Sequence, residues 1–388
     1  MKKTTRLLLF LLVLVLSACS TAPAVQAPAT SDDSAELRAF PIQFAQHFTL
    51  EYGDGYKKLT VTQPWAGASE ALTYLLVPRG GAAPADQENA LVVETPVRTF
   101  VAMSTTYYPF LEQLGKLDAL VAVDDATYVY NPQVRARASD GSLELVGGGG
   151  GGGSVNVEKL LELKPDLIMT NASGSPELDA HPKLLEAGLP VVINADYLEQ
   201  SPLGRAEWGI FIAAFFDLEN FAAQEFDSLV QRYEAAKKLT ETLPEKVSVF
   251  TNTDYQGTWY VPGGESYAAL LLKDAGANYV FADQAGYGAA PLAFEAVFDT
   301  AKDADYWLNV GFAADLDSLL GMDARYAEFK AFQQGRVFNY NARVTEMGGS
   351  DYFESGVANP DVILKDLIRI FYPDLLPEHE LFYYRQLN

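Results

Sequence analysis

The sequence predicts an α/β protein of two lobes with parallel sheets, joined by a long rigid helix and preceded by a small β extension. Three observations carry this expectation. From about residue 94 to the C-terminus, short apolar strands alternate with helical segments, the pattern of a parallel sheet covered by helices. The pattern occurs twice, and residues 205–243 between the two halves are helical with few breakers. Ahead of both, residues 41–93 hold alternating strands separated by turn residues.

The N-terminus sets the compartment. Lys2, Lys3 and Arg6 precede the unbroken apolar run Leu7–Leu16. That run is too short to span a bilayer as a helix but suits the core of a signal peptide. It ends in Leu16-Ser17-Ala18-Cys19, with small residues before a cut and a cysteine after it, as lipoprotein processing requires. Residues 1–18 are therefore expected to be removed and Cys19 to carry the lipid. Cys19 is the only cysteine, so an exported chain has no internal disulfide to draw on and must rely on burying apolar surface. Residues 19–40 are rich in Ala, Thr, Ser and Pro and read as a disordered tether. Losing the three basic residues of the signal takes the formal charge from −23 to −26. Such a surface repels nucleic acid and anionic headgroups, so neither is an expected partner.

In the β extension the strands are Phe48–Tyr52, Lys58–Thr62 and Leu72–Val77, with turns from Gly53, Asp54, Gly55 and Pro64. The N-terminal lobe, residues 94–204, opens with strand Arg98–Met103, helix Tyr107–Leu114 closed by Gly115, and strand Ala119–Val123. Asn156 caps a helix with apolar face Val157, Leu160, Leu161 and Leu163, Pro165 stops it, and Leu167–Met169 begins a strand. A further helix ends at Gly188, before strand Val191–Ile193.

In the connection, Trp208–Phe216 and Phe221–Leu243 read as helical, with Phe226, Leu229, Val230 and Tyr233 at helical spacing. A stiff helical link predicts a small opening motion rather than wide hinge closure. The C-terminal lobe, residues 244–388, repeats the pattern. Strand Val247–Thr251 is followed by helix Glu265–Ala275, ended by Gly276, and by strands Asp305–Val310 and Arg336–Tyr340 around a helical Asp323–Phe332. Asn359-Pro360 starts a last helix with Ile363, Leu364, Leu367, Ile368 and Phe371 on one stripe. An internal echo joins the lobes: Val157–Leu160 feeding Pro165–Met169 parallels Phe294–Val297 feeding Ala304–Leu308. Two similar lobes facing each other place a ligand cleft between them.

Motifs exclude several chemistries. The Gly147–Gly153 run lacks the Lys-Ser or Lys-Thr of a phosphate loop and reads as a low-complexity loop. His47, His181 and His379 are too scattered for a protein-held metal. No Gly-x-Ser-x-Gly or Cys/His arrangement offers a nucleophile, so no catalytic residue is assigned. What remains is aromatic and cationic. Tyr107 and Tyr108 follow a strand end, Arg205 and Trp208 enter the long helix, Trp259 and Tyr260 follow the first strand of the second lobe, and Arg343 follows the strand ending at Tyr340. Residues past the carboxyl ends of strands line the crevice of an open α/β sheet. Flat rings with arginines suit a large, partly apolar anionic chelate, the bland alternative being core packing.

The run Gly147–Gly153, then Asn156-Val-Glu-Lys-Leu-Leu-Glu-Leu-Lys-Pro-Asp-Leu-Ile-Met169, then Gly188-Leu-Pro-Val-Val192 and Asp274-Ala-Gly-Ala-Asn278 carry a resemblance. From about Pro96 to the C-terminus the chain resembles the substrate-binding proteins of ABC importers for ferric siderophores, haem and cobalamin. Ser201–Trp208 and Trp259–Tyr267 resemble a subgroup that carries an N-terminal β extension. The resemblance implies two Rossmann-like lobes on a helical backbone, a monomer without catalysis or cofactor, and a permease with its ATPase as partners. It implies a docking glutamate on each lobe, at Glu177 and Glu295 by position, although both also read as solvated surface acids. Some cobalamin binders of the family carry a tryptophan where this chain has Asn171, so a ferric siderophore complex is the expected ligand, with cobalamin or haem behind it. A metallochaperone or enzyme on the same fold, or a surface lipoprotein acting without a permease, are the other readings.

Overall fold

The structure is a computed structural model that describes residues 37–84, 90–147 and 154–388. The signal peptide, Cys19, most of the tether and Gly148–Gly153 lie outside the described residues.

Five strands make the extension: β1 (Arg38–Ala39), β2 (Phe48–Tyr52), β3 (Lys57–Val61), β4 (Leu72–Pro78) and β5 (Leu91–Thr95). They pair in chain order, antiparallel except for the parallel β4–β5 pair. Alternation along β3 buries Lys57, Leu59 and Val61 on one face. The N-terminal lobe holds β6 (Phe100–Ala102), β7 (Leu120–Val123), β8 (Glu144–Leu145), β9 (Leu167–Thr170) and β10 (Val191–Ile193) in the order β10-β9-β6-β7-β8, all parallel. Its helices are α1 (Tyr108–Gln113), α2 (Pro132–Asp140), α3 (Val157–Leu163) and α4 (His181–Glu186). Asn156 caps α3 by accepting from Lys159 N, and Lys164 in the left-handed region ends it ahead of Pro165.

The connection is two helices, not one. The helix α5 (Pro202–Ala214) ends where Asp217 turns left-handed, and α6 (Glu219–Lys238) then runs 20 residues, about 30 Å at 1.5 Å per residue. The break has a partner in the extension. Lys57 Nζ donates to Ala214 O at 2.7 Å and reaches Asp217 at 2.7 Å and Glu219 at 3.1 Å, so it satisfies the end of one helix and the start of the next.

In the C-terminal lobe, β11 (Ser248–Thr251), β14 (Asn278–Tyr279), β16 (Tyr306–Leu308), β17 (Val337–Asn339) and β18 (Arg385–Gln386) take the order β14-β11-β16-β17-β18, with only β17–β18 antiparallel. A small antiparallel sheet of β12 (Asp254–Tyr255), β13 (Thr258–Pro262) and β15 (Ala289–Leu292) stands beside it. The helices are α7 (Tyr267–Asp274), α8 (Phe294–Ala301), α9 (Leu316–Met322), α10 (Lys330–Gln333), α11 (Asp351–Glu354) and α12 (Pro360–Phe371). The echo holds in three dimensions. The α3–β9 unit places β9 beside β6, and the α8–β16 unit places β16 beside β11.

One apolar cluster runs from Phe40 through the helices α5, α6 and α12 to Leu387. The lobes therefore share a core along the helical side. Crevices open between them at the carboxyl ends of the strands.

Candidate functional site

Two crevices have walls from both lobes. One, of about 580 Å³, is lined by Ala126, Thr127, Tyr130 and Arg135 after β7 and by Thr345 and Met347 after β17. The other, of about 280 Å³, sets Tyr197 and Leu198 after β10 against Pro262, Tyr267 and Tyr287 of the C-terminal lobe. A third, polar crevice lies over the N-terminal sheet, where Met103 follows β6, Asp124 follows β7, and Thr170 ends β9 ahead of Asn171. The rule that loops past strand ends line the cleft therefore operates in this fold.

The lobes also touch. Glu354 of α11 accepts from Tyr130 N and Asn131 N, both at 2.7 Å. The guanidinium of Arg343 lies 5.2 Å from the Tyr130 ring and 4.2 Å from that of Phe382, and it is ion-paired with Asp351 at 2.6 Å. Across the other crevice Arg205 lies 5.6 Å from the Tyr267 ring. A Cβ on Gly349 would stand 2.6 Å from Tyr128 O, so the approach of the β17–α11 loop to the opposite lobe requires glycine.

The seven residues assigned to ligand separate by burial. Trp208 is fully buried; it meets Phe48 and Phe211 at 4.9 and 4.7 Å, and its indole donates to Glu199 at 3.0 Å. Its helix turns that face to the β extension, which corrects its assignment to the cleft. Trp259 is also fully buried, donates to Thr251 O at 2.9 Å and packs on Phe250 and Trp307. It is core, a second correction, because alternation along β13 turns it inward. The same alternation turns Tyr260 outward, 45% exposed. Tyr108 is buried beneath the junction, and burial pushes its phenol far up, with Glu354 and Asp124 adding to the effect. Tyr107 is buried too, yet its hydroxyl has no hydrogen-bond partner, and Asp196 and Arg205 are its charged neighbours. Arg205 and Arg343 remain at the junction, each beside an aspartate.

Asp196 is the residue that sequence reasoning missed. It lies just past β10, after Asn194 and Ala195, so the strand-end rule that selected Tyr107 would have found it. Burial raises its carboxyl against the pull of Arg205. Several rings are exposed: Tyr128 after β7, Tyr197 after β10, Tyr255 on β12, and Phe312 after β16, which is 99% exposed; of these Tyr197 lines a crevice between the lobes. Among the described residues, no group of three or more His, Cys, Asp or Glu could hold a metal ion.

Glu177 is exposed in the segment between β9 and α4. Glu295, in the first turn of α8, is 77% exposed and 3.3 Å from Nη1 of Arg325, whose guanidinium also pairs with Asp323 at 2.6 Å. Arg325 lies 3.7 Å over the Phe294 ring, which holds it at that position.

Comparison with known proteins agrees with this geometry. An uncharacterized lipoprotein of Methanocaldococcus jannaschii is 27% identical over 311 residues, 78% of this chain and 71% of its own length. A periplasmic binding protein from Veillonella parvula superposes with a TM-score of 0.57 at 17% identity, over 81% of this chain and 98% of the other. An ABC-type Fe3+-hydroxamate transport system structure from Saccharomonospora viridis superposes with a TM-score of 0.53 at 18% identity, over 71% and 93%. At such identities the likeness is one of fold. Residues 101–344 match the periplasmic binding protein family, whose members bind substrates for ABC transporters rather than catalyse reactions, and the chain belongs to that family.

Proposed function

We propose that this chain is the lipid-anchored, extracytoplasmic solute-binding component of an ABC importer, and that it captures a ferric siderophore-type complex and delivers it to the permease. The observation that carries this reading is the pair of crevices walled by both lobes at the carboxyl ends of the strands, lined by the rings of Tyr130, Tyr197, Tyr267 and Tyr287. Rings of this kind offer flat apolar surface to a bulky chelate. The lipoprotein relative supports the anchor. In this reading Tyr107, Tyr260, Arg205 and Arg343 face or support the ligand, and Cys19 carries the lipid.

Glu177 and Glu295 are the docking acids of the proposal. Docking at Glu295 then requires a permease arginine to share or displace Arg325. The test is transport in cells that depend on this chain. Glu177→Ala and Glu295→Ala should each reduce uptake while leaving ligand affinity unchanged by calorimetry. Uptake at the wild-type rate in the double variant would refute permease docking through these acids. For the anchor, Cys19→Ser should abolish palmitate labelling and release the protein from membranes, and retained label would refute the lipid site.

A further inference from the structure

The β extension makes one contact that its attachment to the helices does not explain. Phe44 and Phe48 pack it onto α6 and α5, against Phe226 and Trp208. Trp65, in the connection between β3 and β4, packs instead against the smaller apolar cluster of the N-terminal lobe, which includes Ala172, Ala180 and Leu184. Its indole stacks on the His181 ring, with centroids 5.6 Å apart at 29°. Gly174 is left-handed at φ +81°, and a Cβ there would stand 2.6 Å from Trp65 Cδ1, so this approach requires glycine. Trp65 therefore meets both the outgoing and the returning limb of the loop between β9 and α4.

That loop carries Glu177. Asp179 closes its base by accepting from Ser173 N and Ser173 Oγ, both at 2.8 Å, and from Gly174 N at 3.0 Å. Ser175 O accepts from Leu178 N at 2.9 Å and from Asp179 N at 3.0 Å. Tyr197 donates to Ala172 O at 2.7 Å and so fixes the segment where it leaves β9. From this frame Pro176, Glu177 and Leu178 project, all exposed. A carboxylate loses part of its binding free energy when its backbone must be ordered on contact, and keeps it when the backbone is already held.

We propose that Trp65 is a positioning residue for permease docking: the β3–β4 connection of the extension clamps the β9–α4 loop and presents Glu177 in a fixed place. The inference rests on the docking reading of Glu177 above and deepens it, since it gives the extension a part in recognition of the permease. The hydrogen bonds of Asp179 close the loop on itself, and the indole ties the closed loop to the rest of the chain. Trp65 acts through Glu177 and makes no contact with the cleft ligand in this arrangement.

The test compares Trp65→Ala, Trp65→Phe, Glu177→Ala and the double variant Trp65→Ala/Glu177→Ala in the full chain. Hydrogen exchange of the purified proteins at residues 173–180 reads the order of the loop. Uptake of iron-labelled ferrichrome by cells that depend on this chain for its transport reads docking. Trp65→Ala should speed exchange in the loop about tenfold while leaving β6 and α5 as protected as in wild type. It should cut uptake as far as Glu177→Ala does, with ferrichrome affinity by calorimetry unchanged. Trp65→Phe, which keeps a flat ring over His181, should restore most of both, and the double variant should transport no worse than Glu177→Ala. Unchanged loop exchange in Trp65→Ala, or faster exchange throughout the chain, would overturn this inference and leave docking by Glu177 standing. So would wild-type uptake in Trp65→Ala beside impaired uptake in Glu177→Ala, or a further loss in the double variant. Wild-type uptake in Glu177→Ala would refute the docking reading itself, and this inference with it, even where the loop exchange changes as expected.

Discussion

Single carboxylates organise much of this molecule. Glu354 shows how one can join two lobes and still cost stability. It accepts two amides of the opposite lobe, yet burial raises its carboxyl from 4.5 to about 7 in spite of them, with Asp351 and Glu112 adding like charge. The folded state therefore holds this proton where the unfolded chain has released it. Stability is greatest through this group below pH 4.5 and declines as pH rises to about 7, by roughly 3 kcal/mol for such a shift. Glu354→Gln should flatten that part of the profile, measured as the difference in urea-unfolding free energy between pH 5 and pH 8. An unchanged slope would mean that the raised carboxyl lies elsewhere. Periodicity gives no sign of such a residue, because its partners lie 224 and 223 positions away in the chain.

At the scale of elements, the β extension is part of the core rather than an appendage. Glu207, on α5, accepts from the backbone amides of Gln43, Phe44 and Ala45, each at 2.7 Å. Glu199 takes the next two, Gln46 and His47, along with the Trp208 indole. Two side chains thereby replace the missing ladder of an irregular segment. Phe44 on Phe226 and Phe48 on Trp208 close the same interface with apolar surface. Replacing Glu207 by Ala should destabilise the fold by on the order of 3 kcal/mol, since buried amides lose their acceptor. It should also expose the 40–47 segment to limited proteolysis ahead of global unfolding. A variant that melts and resists protease like wild type would show that apolar packing alone holds the extension.

For the whole molecule, the stiff link has a mechanical consequence. The 20-residue α6 packs along α5 and α12, and the apolar cluster passes through all three. The cleft side is bridged by Glu354, by Arg343 over Tyr130 and by Arg205 under Tyr267. Ligand entry then requires these few contacts to separate, while the helical side stays packed. Small-angle scattering of free and ligand-bound protein should differ in radius of gyration by less than about 1 Å. A change of several ångströms would indicate a hinge that this core does not provide.

The linear chain carried enough for the acidic balance, the doubled strand–helix order and the family motif from Asn156 to Met169, because composition, caps and periodicity are local properties. Most strands stand where alternation and turn residues put them; Phe48–Tyr52 agrees residue for residue. Local signals also gave the break-poor stretch that became α5 and α6, though not the turn at Asp217, which depends on a lysine from the extension. The site was less accessible to that kind of reading. A tryptophan on a helix or strand looks the same in sequence whether it faces solvent or core, and Trp208 on α5 and Trp259 on β13 face inward because the extension and the second lobe's aromatic core close over them. Likewise Asp196 is one acid among 51 Asp and Glu residues until burial brings it beside Arg205 and Tyr107. Burial and pairing are sums over residues far apart in the chain, and so they appear only once the lobes are assembled.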